Sequence, residues 1–355
     1  MPDENIKHQP AVLEVAEEDA SVSTSDEALR EMLGLPSMDG LAMKVEDVKS
    51  NNDEPHTIDY LHGLADSELC RFLKEANSIQ DYANDSVCIV PRGLCLDPLF
   101  MRRITDELSW GKYPSDKSFE TIKVATRQRE ILERRTITRF ENFVGTHDEW
   151  KRLTAYIGRL ASIICQQPMV LFKEKLNLKP PGGSGFAPHL DTPSLRVALA
   201  ERGPQNFVTV MIAIDSMTQQ NGCLQCAKGS TTGWSEENAV ESIQPQSDGN
   251  PDGDGRAGAI PMQVAQTLSF HPLECPGGTV ALFNGWTPHR SAANRSPFSR
   301  RAVFLTYNPL AEGECRELYY EHMDRLRSEF RVKAALERKR DEQAELDALA
   351  TIPKI

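Results

Sequence analysis

The sequence predicts an α+β protein in which a sandwich or barrel of short strands is flanked by helices at both ends. Three changes of texture carry that expectation. Up to residue 166 apolar side chains recur at helical spacing; from Met169 β-branched runs alternate with Gly, Pro and Asn; and from Glu314 to Ala350 charges dominate and neither Gly nor Pro occurs.

The chain has 355 residues, 39% of them hydrophobic, enough to build a sizeable core. Its charge is uneven. Residues 1–56 hold 14 Asp or Glu against 4 Lys or Arg and no Phe, Trp or Tyr, so they carry most of the formal net charge of -12. Such a stretch has little apolar surface to offset the entropy of ordering, and a disordered acidic tail is expected, with a helical turn over 26–35 able to dock on a protein partner. Residues 57–312 are expected to form the structured domain, and 313–355 a helical C-terminal extension.

Within the domain, helices are expected after an extended lead-in over Ile58–Ser78, capped by Asp66 or Ser67, then over Asp97–Leu108 and His147–Gln166. The last of these places Trp150, Leu153, Ile157, Leu160 and Ile164 along one face. Strands are expected over Val170–Asn177, Phe207–Ile214, Gln263–Phe270, Thr279–Phe283 and Arg301–Tyr307. An insert spans 234–266, and its Gly-, Asp- and Pro-rich part, 245–258, reads as a mobile loop and lid.

The acidic balance speaks against a nucleic-acid surface. No run approaches the roughly 20 apolar residues that span a bilayer, and the opening Met-Pro-Asp-Glu-Asn has no secretory character. The expectations are a small-molecule substrate, no nucleic acid, no membrane and a cytoplasmic location.

Chemistry concentrates at His189-Leu190-Asp191. Residues two apart on a strand point to one side, so this imidazole and carboxylate can converge on an ion. A further histidine from a distant strand would complete a two-His, one-carboxylate face with open positions, the arrangement preferred by non-haem Fe(II). His289 is the candidate, at the exit of the run Gly278-Thr279-Val280-Ala281-Leu282-Phe283-Asn284. Eleven residues on, Arg300 heads a strand, where its planar fork can meet the far carboxylate of a 2-oxo diacid.

The succession H-x-D, then G-x-x-x-x-F-N, then H-x-S-x-x-N-x-S-x-x-x-R resembles the phytanoyl-CoA dioxygenase superfamily of Fe(II)- and 2-oxoglutarate-dependent dioxygenases. Asn221-Gly222-Cys223-Leu224 with Gly229-Ser230 resembles the same family's N-G-x-L…G-S turn. The likeness covers roughly 138–309. Within it, Arg135–Thr138 with Glu141–Val144, and Phe172–Asn177 with Phe186–His189, look closest to 2-aminoethylphosphonate dioxygenases. The resemblance implies a double-stranded β-helix (jelly-roll, cupin-like) core. It implies His189, Asp191 and His289 as iron ligands, Arg300 and Ser291 on the 2-oxoglutarate C5 carboxylate, Asn177 near the co-substrate and Lys175 facing the substrate. The implied reaction couples 2-oxoglutarate and O2 to hydroxylation of a substrate C–H bond, yielding succinate and CO2. A small polar substrate such as an aminophosphonate is expected. The alternatives are a larger specialised metabolite under the 234–266 insert, or a non-catalytic jelly-roll scaffold.

Other signals weigh less. Cys223 and Cys226 have C-x-x-C spacing but lack partners for a zinc site; Asp248–Gly253 opens like a calcium loop without its twelfth-position Glu; His271 reads as structural. Lys173, Lys175 and Lys179 share one strand face and could line an anion pocket, although such a lysine stripe is ordinarily solvated.

Overall fold

The structure, a computed structural model, describes residues 55–110, 119–120, 139–199, 203–227, 258–325 and 328. The tail (to residue 54), the candidate lid at 245–257, the calcium-like loop, Gly229-Ser230 and Arg135–Thr138 lie outside the described residues.

Strands β1 (Val87–Ile89), β2 (Phe119–Glu120), β3 (Arg139–Glu141), β4 (Met169–Lys179), β6 (Val208–Ala213), β9 (Val280–Asn284) and β11 (Arg300–Pro309) form a seven-stranded sheet in the order β1-β9-β6-β11-β4-β3-β2. A second sheet, β5-β10-β7-β8, uses β5 (Phe186–His189), β7 (Leu224–Ala227), β8 (Phe270–Pro272) and β10 (His289–Ser291). Every pairing is antiparallel. Two facing antiparallel sheets with helices on one outer side are the expected jelly roll.

Period-two alternation decides which side chain meets which layer. On β6, Val208, Val210 and Ile212 join Val280, Leu282, Val303 and Leu305 in one core, packed beneath helix residues Trp150, Leu153, Tyr156, Ile157 and Leu160. Met211 and Ala213 face the other way, with Ala281, Phe283, Ala302 and Phe304, against Leu224 and Cys226 of the second sheet and Leu273 just beyond β8. All five helix side chains are fully buried, and burial of each contributes about 1.5–3 kcal/mol.

The helices are α1 (Ile58–Gly63), α2 (Asp66–Glu75), α3 (Ser78–Asp85), α4 (Pro98–Trp110) and α5 (Asp148–Ile164), all before β4 in the chain. They are followed by α6 (Asp191–Leu199), α7 (Met262–Ala265) and helical residues 316–325. At α2 the cap differs from expectation: Ala65 is the N-cap, and the Glu68 carboxylate accepts its N–H at 2.9 Å. The expected strand Gln263–Phe270 is instead the single turn α7 followed by a loop into β8. Short apolar runs do not separate helix from strand, and Pro261 at the N-cap tips the balance toward helix.

Candidate active site

The two histidines are register partners. His289 of β10 lies opposite His189 of β5, their ring centroids 4.1 Å apart. Asp191 arrives by another route than strand alternation. β5 ends at His189, Leu190 is fully buried, and Asp191 opens α6. The amides of Asp191 and Thr192 both donate to the Gly285 carbonyl at 3.0 Å. A Cβ on Gly285 would come 2.2 Å from Thr192 Oγ1, so the close crossing requires glycine. The result places Asp191 Oδ1 3.9 Å from His189 Nε2 and 3.8 Å from His289 Nε2.

Each imidazole is oriented by its other nitrogen. His189 Nδ1 lies 2.7 Å from the Ala187 carbonyl and His289 Nδ1 lies 3.0 Å from the Thr287 carbonyl. A carbonyl only accepts, so both Nδ1 atoms carry the proton and both Nε2 lone pairs face the centre. Burial pushes His189 down to about 3, helped by its neighbour His289, and burial likewise lowers His289. Burial alone would raise Asp191, but His289, Lys175 and His189 outweigh it and hold its carboxyl well below the ordinary carboxylate range. Its Oδ2 accepts from Thr209 Oγ1 at 2.9 Å. Two neutral imidazoles and an ionised carboxylate are the protonation states a divalent metal needs, and the donor set fits ferrous iron. Glu107, His147 and Glu149 form a second candidate group, but Arg103 ion-pairs with both carboxylates.

The inner face of the large sheet continues from this centre. Register places Lys173, Thr306 and Thr209 in one cross-strand row; Glu141, Lys175, Phe304 and Met211 in the next; Arg139, Asn177, Ala302 and Ala213 in the third; and Lys179 beside Arg300 at the end. Arg139 Nε donates to Asn177 Oδ1 at 3.1 Å. β4 is not an edge strand, because β3 pairs with it from Lys175 to Asn177, and Lys179 is buried against Ser291 and Ala292; Lys173 and Lys175 are half-buried. Lys175 packs over the Phe304 ring and is pushed by burial down to about 8. Burial also opposes charge on Lys173, yet the Tyr319 oxygen, Glu141 and Asp191 hold its ammonium above the ordinary lysine value.

At the far end Arg300 is 4% exposed, its Nη2 donates to the Gly222 carbonyl, and its Nε has no partner among the described residues. A buried orphan guanidinium donor is costly unless a ligand takes it, and a carboxylate fits. Lys179, which the sequence set aside, gives its three ammonium protons to Ser291 Oγ (2.9 Å), the Ala292 carbonyl (2.7 Å) and the Gly222 carbonyl (3.2 Å). Burial and the neighbouring Arg300 push it down to about 7. Gly222 has φ +72°, and a Cβ there would meet the Ala292 carbonyl oxygen at 2.3 Å. That explains the N-G pair, with Asn221 Oδ1 accepting from the Thr218 amide at 2.9 Å. Asn294 is fully buried, and its amide group donates to the carbonyls of Lys179 (2.9 Å) and Phe298 (2.7 Å). The Asn of the third motif thus shapes the turn leading to Arg300.

Sequence reasoning missed Thr209, Gly285 and Tyr319, none of which carries a spacing signal. Cys223, in the turn before β7, and Cys226, on β7, are buried free thiols, and His271 is exposed on β8. No helix among the described residues is long and apolar enough to cross a membrane.

A 2-aminoethylphosphonate dioxygenase from an uncultured bacterium is 39% identical over 189 residues, 53% of this chain and 64% of the relative. A methylphosphonate hydroxylase from Gimesia maris is 33% identical over 160 residues, 45% of this chain and 53% of that protein. The matches thus span between half and two thirds of these relatives. The crystal structure of EctD from S. alaskensis with 2-oxoglutarate and 5-hydroxyectoine shares the fold, at TM-score 0.50 and 18% identity, over 67% of this chain and 77% of that one. The sequence profile of the phytanoyl-CoA dioxygenase family matches residues 63–302, more than half of the chain. The chain belongs to the phytanoyl-CoA dioxygenase family of iron- and 2-oxoglutarate-dependent oxygenases.

Proposed function

We propose that the protein hydroxylates a C–H bond of a small anionic substrate, an organophosphonate such as an aminophosphonate. His189, Asp191 and His289 hold Fe(II), and Arg300 and Ser291 hold 2-oxoglutarate. The observation that carries this reading is the pairing of two features on one inner face: three convergent metal-competent donors and, rows away, a buried guanidinium whose Nε has no partner among the described residues. When bound, iron and 2-oxoglutarate supply the oxidant, 2-oxoglutarate and O2 becoming succinate and CO2 as a substrate C–H becomes C–OH.

The chain's own residues do the positioning. Thr209 fixes Asp191 Oδ2 and leaves Oδ1 toward the imidazoles. Lys179 fixes Ser291 and the Gly222 turn, so the guanidinium of Arg300 meets the C5 carboxylate without reorganising. Asn177, braced by Arg139, lies between that end and the metal. Lys175 and Lys173 give the remaining space a positive wall, which favours an anion, and the names of the relatives favour a phosphonate.

The test measures succinate formed from 2-oxoglutarate with aminophosphonates, iron present and then chelated. Turnover should require iron, vanish in Asp191→Ala, and show a 2-oxoglutarate KM raised about 10- to 100-fold in Arg300→Lys, which loses one of two charged hydrogen bonds. Absence of both iron uptake and turnover would favour a scaffold.

A further inference from the structure

The family match ends at residue 302, yet the chain continues into helical residues 316–325, which reach the substrate side of the inner face. The helix is fastened through Glu174, which is fully buried on β4. Arg316 donates Nε to Glu174 Oε2 at 3.0 Å and Nη2 to Asn142 Oδ1 at 2.9 Å. The Tyr320 hydroxyl accepts the amides of Asn142 and Glu174, each at 3.2 Å. These contacts set the neighbouring Tyr319 against Phe172, ring centroids 4.9 Å apart, with its hydroxyl accepting from Lys173 Nζ at 3.4 Å.

Lys173 shares its row with Thr306 and Thr209, and Thr209 holds the metal-side carboxylate. Strands lie about 4.8 Å apart, so Lys173 stands about 10 Å along the sheet from Thr209, the span of a small ligand. Among the described residues, Tyr319 is the sole hydrogen-bond partner of the Lys173 ammonium, and no acceptor takes the Tyr319 hydroxyl proton. A half-buried ammonium and a phenol O–H that share one contact have further donor capacity, which an anionic ligand can take up.

We propose that Tyr319, carried by a helix outside the family match, is a specificity-determining residue that joins Lys173 in holding the anionic head of the substrate. The inference rests on the hydroxylase reading above and names the residues that select its substrate. A tetrahedral phosphonate directs three oxygens out of one plane, one toward each of Lys173, Lys175 and the Tyr319 hydroxyl, whereas a carboxylate presents its lone pairs in a single plane.

The test is calorimetric titration of methylphosphonate into the anaerobic full-length chain loaded with Fe(II) and 2-oxoglutarate. Tyr319→Phe keeps the ring against Phe172 and removes only the hydroxyl. It should weaken methylphosphonate about tenfold, with 2-oxoglutarate affinity and melting temperature unchanged. Lys173→Met should weaken it at least as much. Wild-type affinity in both variants, loss only in step with 2-oxoglutarate, or no binding by the wild type would overturn the subsite. Tyr319-dependent binding without succinate from any phosphonate would instead overturn the hydroxylase reading and leave the subsite standing. Succinate formation with Tyr319-independent binding would remove the subsite alone.

Discussion

Thr209 separates a carboxylate that can swing from one that cannot. Its hydroxyl donates to Asp191 Oδ2 at 2.9 Å and lies 3.3 Å from Thr306 Oγ1. Thr209→Val keeps the shape and deletes the donor. Ferrous affinity should fall about 10- to 100-fold in an equilibrium metal titration, the usual cost of losing a partner behind a ligand, with the secondary structure unchanged by circular dichroism. A variant with wild-type affinity would deny Thr209 that role. His189, Asp191, His289 and Arg300 were legible as a spaced pattern, and the structure brings the first three within 4.8 Å of one another. Thr209 was not legible, because one Thr inside an apolar strand looks like any β-branched residue until the register sets it under Asp191.

The element that organises the site is β4. Its inner side chains, Lys173, Lys175, Asn177 and Lys179, lie on the face of the sheet that carries Thr209 and Arg300, while Glu174 turns the other way to fasten residues 316–325. Glu174 is 0% exposed and Arg316 25%. Arg316→Met should therefore leave a buried carboxylate without its cation and cost about 3–5 kcal/mol in chemical denaturation, toward the lower end because the guanidinium is partly wetted. Adding Glu174→Gln to Arg316→Met removes the orphan charge and should recover much of that loss. Equal stability of the single and double variants would show that the pair does not anchor the helix. The strand was legible from its composition, but its lysine stripe was compatible with either an anion pocket or a solvated face. Solvent exposure of a strand face depends on which strand lies next to it, and the cover by β3 is a non-local fact.

For the whole molecule, the two imidazoles, His289 buried and His189 half-buried, link stability to pH. His189 is pushed down to about 3 and His289 is also lowered, both from an ordinary value of 6.5. Below about 6.5 the unfolded chain takes up protons that the metal-free folded chain refuses. Stability should thus be full above 6.5 and fall with pH toward 3, by up to about 1.4 kcal/mol per pH unit per histidine. Melting curves of the metal-free protein between pH 7 and 5 check this, and His289→Gln should flatten the slope. An equal slope in that variant would place the acid sensitivity elsewhere. The sequence by itself determined the class of fold, because alternation of apolar residues is local and each strand or helix announces its own period. It also determined the chemical type of the centre, because ligand spacing and the motif around Arg300 survive in one dimension. Only the tertiary structure decided that Asp191 reaches the histidines from a helix start, that Lys179 and Gly222 build the wall behind Arg300, and that Tyr319 meets Lys173. Those are contacts between residues tens of positions or more than a hundred apart, and no local pattern encodes which distant strands become neighbours.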